Sequence, residues 1–273
     1  HRRLDAEEST GIDMSIRNTM AMARLNLLLQ AKEPSVPVLM TIIPIVLTPF
    51  MIPGNRNTLL AEGYAHATGA EQAVPGFAIL FSFFSVQLIV QMFFNEHRWG
   101  TWNRLRISSA TIVDIILGKA GVAFLMQLAQ MAVVLAAGSM ICGYHPNGSL
   151  PALIVVAITF SASLALFGTC ISLWCRSEHT ALSIAMLSGI LMACIGGSLT
   201  SVDTFPYWAR GLARISPAYW VVNAIKTIGL DHGDVRDVLP DVMIVCGFGV
   251  LCLLLIVLRA LLSRHESTGV SQD

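Results

Sequence analysis

The sequence predicts an all-α membrane protein with six transmembrane helices, an N-terminal amphipathic interfacial helix, and re-entrant external helices between spans five and six. Three observations carry that reading. Hydrophobic residues make up 55% of the 273 residues and charged ones 12%, with a mean hydropathy of +0.68. Ordinary soluble domains carry about 25% charged residues. The charges are also clustered, leaving long stretches with none. A bilayer demands this, because an ionised side chain at mid-membrane costs on the order of 3 kcal/mol or more. Finally, these stretches reach the roughly 20 residues a helix needs to cross the hydrocarbon core.

Reading from charge to charge gives the spans in order. The first lies between Glu33 and Arg56, centred on Val36–Met51, and its Pro37, Pro44 and Pro49 predict a kinked helix. The second runs from Val74 to Asn95. Between Asp114 and Arg176 only Lys119 is ionised, His145 aside, and the turn cluster Gly143-Tyr144-His145-Pro146-Asn147-Gly148 divides that stretch into helices 112–142 and 151–174. A fifth span lies between His179 and Asp203, and a sixth between Asp241 and Arg259. The whole of 1–273 reads as a single transmembrane domain. Residues 1–33 form a cytoplasmic amphipathic helix, 34–264 the six-helix membrane region, and 265–273 a cytoplasmic tail.

Lys and Arg set the orientation. An even number of spans puts both termini on one side. Twelve of the 17 basic residues fall there, and the other side holds Arg56, Arg210, Arg214, Lys226 and Arg236. Both termini are therefore placed in the cytoplasm. The first 35 residues carry five basic and five acidic side chains without a central apolar block, so no cleavable signal peptide is visible. Net charge is zero, and nothing marks a nucleic-acid partner.

Two segments do not span. Before the first crossing, Ile16, Met20, Ala23, Leu27 and Ala31 recur at helical spacing with Arg17 and Arg24 beside them. That pattern fits a helix lying in the cytoplasmic interface or one packed on neighbouring protein, and the two are compatible. Between spans five and six, Phe205-Pro206-Tyr207-Trp208 and Pro217-Ala218-Tyr219-Trp220 place aromatic rings that favour the headgroup level. Trp208, Leu212 and Ile215 share a helical face opposite Arg210 and Arg214, so short helices dipping into the outer leaflet are expected here.

The cytoplasmic link between spans two and three carries the most specific pattern. It reads Glu96-His97-Arg98-Trp99-Gly100-Thr101-Trp102-Asn103-Arg104-Leu105-Arg106-Ile107-Ser108-Ser109, and Gly118-Lys119 follows early in the third span. Together with Gly196-Gly197-Ser198 and Ser216-Pro217-Ala218-Tyr219-Trp220, taken in order along the chain, it resembles the ABC-2 family of ABC transporter permeases. The chain departs from that pattern at Ser201-Val202-Asp203, where many members place a proline.

The resemblance implies the membrane-spanning permease subunit of an ATP-driven exporter in the plasma (inner) membrane of a prokaryote. The link would then form a short coupling helix docked on a cytoplasmic ATPase. Glu96, Arg98, Trp99, Gly100, Thr101, Trp102, Arg104 and Leu105 are its interface, with both tryptophans as large anchors. The alternative reading is an ordinary basic loop that holds topology. Further implied partners are two ATPase subunits and a second permease, identical or homologous. The likeness is to the drug- and antibiotic-resistance branch, with an amphiphilic cargo such as a drug, antibiotic, peptide or lipid.

The chain has no GxxxxGK[ST] phosphate loop: Leu117-Gly118-Lys119-Ala120 lacks the upstream glycine and the hydroxyl residue. No catalytic residue, cofactor or metal site is expected in this chain, and ATP and Mg belong to the partner subunit. Lys119 either snorkels to headgroups or pairs with Glu96 or Asp114. Gln87 and Gln91 on span two, and Gln127 and Gln130 on span three, pair on shared faces. They read either as a weakly polar substrate path or as interhelical hydrogen bonds. The rival classes are an ion-coupled secondary transporter, which would need an ionisable residue deep in a span, and a membrane-embedded enzyme. For the enzyme, Ser161, Ser183 and Ser188 have no histidine or carboxylate beside them in the spans.

Overall fold

A computed structural model describes residues 34–98 and 112–269, together with Met20, Arg24, Leu28 and Lys32. Its long helices are α1 (Ser35–Ala61), α2 (Ala70–Arg98), α3 (Ile112–Cys142), α4 (Leu150–Trp174), α5 (Glu178–Ile195) and α8 (Val235–Gly269). Between α5 and α8 come a 3-10 turn (Val202–Thr204) and two shorter helices, α6 (Tyr207–Ala213) and α7 (Pro217–Leu230). The six long helices are the ones long and apolar enough to cross a membrane. There is no strand among the described residues. Of the N-terminal segment, Met20, Arg24, Leu28 and Lys32 are helical and exposed, while Ile16, Arg17, Ala23, Leu27 and Ala31 lie outside the described residues.

Helix α2 is the central post. Its most apolar stretch is 89% buried within the protein, against 11% for α1. A helix apolar on every side belongs inside a bundle, and small residues let its neighbours come close. An added Cβ at Gly76 would lie 1.8 Å from the Ser198 carbonyl oxygen beyond α5. At Gly189 on α5 it would reach the Phe83 side chain at 3.3 Å, and at Gly168 on α4 the Ile89 side chain at 3.0 Å. Phe83 meets Phe160 of α4 edge to face at 5.7 Å. Helix α8 packs along α4, where Ser163 Oγ donates to the Val245 carbonyl at 3.0 Å and Trp174 Nε1 to the Leu255 carbonyl at 3.2 Å.

Helix boundaries depart from the charge-to-charge reading for a physical reason. α2 begins at Ala70 rather than Val74 because Thr68 and Glu71 cap it reciprocally. The Ala70 amide donates to Thr68 Oγ1 at 3.2 Å, and the Thr68 amide to Glu71 Oε2 at 3.1 Å. α8 begins at Val235, ahead of Asp241, where the Asp234 amide donates to Asp237 Oδ2 at 2.8 Å. α8 then continues to Gly269, past the expected start of the tail at 265.

The first span is one continuous helix through Pro44, Pro49 and Pro53, extending past Arg56 to Ala61. Pro44 has no N–H to give the carbonyl four residues back, at Met40. Gln130 of α3 supplies that donor instead, its Nε2 lying 3.3 Å from the Met40 oxygen. A side chain from the neighbouring helix thus fills the rung the proline removes.

Candidate functional site

The expected coupling segment is only partly described. The backbone of Glu96, His97 and Arg98 forms the last turn of α2. Trp99, Gly100, Thr101, Trp102, Arg104 and Leu105 lie outside the described residues. Lys119 does not snorkel: it is 1% exposed, its Nζ lies 3.4 Å from the Met92 carbonyl oxygen and sits 4.6 Å from the centre of the Phe93 ring. It therefore ties α3 to the last turns of α2 beside that link.

Two pockets stand at opposite ends of α2. The first is a cleft of about 220 Å³ between α1, α2 and α3, walled by Pro37, Thr41, Ser85, Met92, Gln127 and Gln130 among other, mostly apolar, side chains. Gln127 and Gln130 face it as their spacing predicts, and both also bond across helices. Gln127 Nε2 donates to the Ser82 carbonyl at 2.9 Å, and Ser85 Oγ donates to Gln130 Oε1. The interhelical hydrogen bonds are thus present, and one amide edge of each holds the bundle while the side chain still borders the cleft. Gln127 Oε1 has no hydrogen-bond partner among the described residues. Gln87 and Gln91, half-buried on α2, are not part of this wall.

The second pocket, also about 220 Å³, is polar and lies where α2 meets the segment after α5. Helices α6 and α7 build it. Ser216 caps α7, its Oγ accepting from the Ala218 amide and donating to the Met192 carbonyl, and Pro217 occupies the first helical position. The buried face of α7, including Val221, Ile225 and Ile228, packs on α2 and α8. That turns Lys226 inward, where its Nζ meets Glu62 Oε2 at 2.5 Å and Ser201 Oγ at 3.3 Å.

This ion pair joins the end of α1 to α7, with both side chains about 15% exposed (15% and 14%). Tyr64 stands beside it, with Lys226 Nζ 5.9 Å from its ring centre. Burial first, and then the Asp231 carboxylate, push the Tyr64 phenol above its ordinary value, so it stays protonated at neutral pH.

The expected external aromatic residues fall in or beside these two helices. Phe205 and Pro206 lead into α6, Trp208 is 70% exposed on it, Pro217 starts α7, and Trp220 Nε1 donates to the Arg214 carbonyl at 2.9 Å. Tyr207 and Ile215 are exposed with Trp208, and Arg210 and Arg214 are exposed as well.

Sequence reasoning did not find Glu62, Gln72, Asn223 or Asp241. Asn223 Nδ2 donates to Asp241 Oδ2 at 2.9 Å, so the buried carboxylate is partnered. Asp241 lies about two turns into α8 and Lys119 about two turns into α3, both near helix ends rather than at mid-span. Asn223 and Asp241 carry the one sequence signal, a lone polar group among apolar neighbours, whereas Gln72 follows Glu71 and Glu62 precedes Gly63-Tyr64, so nothing local marks those two.

The profile of a family described as "ABC-2 family transporter protein" matches residues 8–258. Among curated proteins the chain is similar to "Probable multidrug ABC transporter permease YbhR" of Escherichia coli strain K12. Identity is 29% over 138 residues, covering 50% of this chain and 37% of the relative. The protein of the same description from Escherichia coli O157:H7 matches with the same identity and coverage. The match thus spans well under half the length of these relatives.

Proposed function

The chain belongs to the ABC-2 family of transporter proteins, and from that premise we propose that it is the permease subunit of an ATP-driven exporter. It works with two cytoplasmic ATPase subunits and a second permease in the plasma membrane, with both termini cytoplasmic. The cargo is an amphiphile. The observation that carries this is the cleft between α1, α2 and α3, apolar apart from Thr41, Ser85, Gln127 and Gln130. Such a lining takes a hydrophobic body and offers a few hydrogen bonds to a polar head.

The axial arrangement supports export. With the termini inside, the cleft lies in the cytoplasmic half and the polar pocket at the external end. Gln72 and Met92, which border the two pockets on α2, are about 30 Å apart along the helix at about 1.5 Å per residue. The Glu62–Lys226 pair ties the outer end of α1 to α7. Movement outward requires that tie to yield, and two packed states of one interface are the usual device. The link from Glu96 to Leu105 carries the ATPase stroke to α2 and α3, and Lys119 joins those two helices next to it.

The test uses inverted membrane vesicles holding the permease and its ATPase, with a fluorescent amphiphile outside. ATP-dependent uptake is expected, and Ala129→Trp, which fills the cleft from its wall, removes it. Undiminished uptake by that variant would sink the cleft as the cargo path.

A further inference from the structure

We propose that the external polar pocket binds the headgroup of an outer-leaflet phospholipid, one phosphodiester bearing an N–H or O–H donor. The inference rests on the external placement of α6 and α7 in the reading above, and not on export.

The pocket holds charges of both signs. Lys226, Arg210 and Arg214 border it with Asp203, and Glu62 reaches Lys226 from α1. Counting Glu62, three cations face two carboxylates. The cations are unevenly used. Lys226 is taken by Glu62 and Ser201. Arg210 donates to two backbone carbonyls, Phe205 at 2.9 Å and Asp203 at 2.5 Å, and pairs with no carboxylate among the described residues. The Arg214 guanidinium has no hydrogen-bond or ion-pair partner among the described residues. A guanidinium on this rim is a fork suited to phosphate oxygens.

The acceptors are left over in the same place. Gln72 is 2% exposed and borders the pocket; its Nε2 donates to the Gly197 carbonyl at 2.9 Å, while its Oε1 has no partner among the described residues. Glu62 Oε1, on the carboxylate that holds Lys226 of the pocket wall, is likewise buried without a partner among the described residues. Buried acceptors left unpaired are costly, at about 1–3 kcal/mol each. One on the pocket wall, at Gln72, and one on the carboxylate behind Lys226 mark the pocket as a place where an outside donor completes the network. A headgroup with phosphate and a donor satisfies both sets: the phosphate sits against Arg214 and Arg210, and the amino or hydroxyl group against Asp203 and Gln72 Oε1.

What selects a lipid over a free phosphate compound is α6. Its Tyr207 and Trp208 are 94% and 70% exposed, with Ile215 just beyond it 78% exposed. Exposed aromatic and aliphatic residues on a short helix belong at the membrane interface, at headgroup depth. The arginines of that helix therefore meet phosphates at their own level.

Purified permease in detergent is mixed with a phosphatidylethanolamine, with the diacylglycerol of the same tails, or with glycerophosphoethanolamine, and bound molecules are counted by native mass spectrometry. Wild type should retain one phosphatidylethanolamine per protomer and release the diacylglycerol. Arg214→Gln should weaken retention about tenfold, the loss of one charge-assisted contact. Arg236→Gln, an external basic residue outside the pocket, should leave it unchanged. Equal retention of the diacylglycerol, or an Arg214→Gln variant like wild type, would overturn the site. Equally tight glycerophosphoethanolamine would overturn its assignment to lipid. The assay contains no ATPase, so failure of the permease to pair with one would sink the proposed function and not this site.

Discussion

Gln130 Nε2 lies 3.3 Å from the carbonyl oxygen of Met40, an acceptor that Pro44 leaves without a backbone donor. Two residues 90 apart in sequence thus complete one turn of α1. Gln130→Leu removes the donor and should lower stability by about 1 kcal/mol, the usual scale for a hydrogen bond between membrane helices. Pro44→Ala restores the N–H within α1 and should recover the Met40 part of that loss when combined with Gln130→Leu, while the acceptor lost to Ser85 Oγ stays lost. Thermal unfolding of the two single variants and the double variant in detergent gives the coupling. Additive effects would show that Gln130 does not stand in for the missing amide.

The Glu62–Lys226 pair is partly buried, so removing one partner strands the other. Lys226→Met alone should cost about 2 kcal/mol, discounted from the 3–5 of a fully buried pair. Lys226→Met with Glu62→Leu should recover much of it, because no charge is then left at the end of α1. A double variant as unstable as the single one would show that the pair does not join α1 to α7.

Glycines separate close approach from mere helix content. Gly76→Ala places a Cβ 1.8 Å from the Ser198 carbonyl oxygen, so α2 and the end of α5 must part, at a cost of about 1–3 kcal/mol. At Gly121, with nothing within 4 Å, alanine should instead be neutral or stabilise by about 0.5–1 kcal/mol. Unfolding midpoints and yields of folded protein check the contrast, and equal behaviour of the two variants would refute it.

The fold was largely legible because charge-free length is itself the physical requirement for crossing a bilayer. Helix boundaries were less so. Thr68 with Glu71, and Asp234 with Asp237, are polar residues that begin helices by capping them, yet a reading from charge to charge treats them as the end of a span. Gln127 and Gln130 were legible as a shared face, since helical spacing fixes that. Their acceptors were not, because Ser82 and Met40 are backbone groups on other helices. Lys226 and Glu62 are 164 residues apart, and no local pattern joins them. Snorkelling was one of the two readings of Lys119, because its place near the helix end is visible in sequence, while the Phe93 ring beside its ammonium is not.

The link from Glu96 to Leu105 is where the proposed function meets its partner, and ATPase activity is the direct readout. The permease is co-purified with its ATPase, reconstituted, and assayed with and without an amphiphile, as wild type, Glu96→Ala and Gly100→Pro. Wild type should show amphiphile-stimulated hydrolysis, and both variants should lose the stimulation while still inserting in the membrane. Stimulated hydrolysis and transport unchanged in both variants would contradict the coupling role.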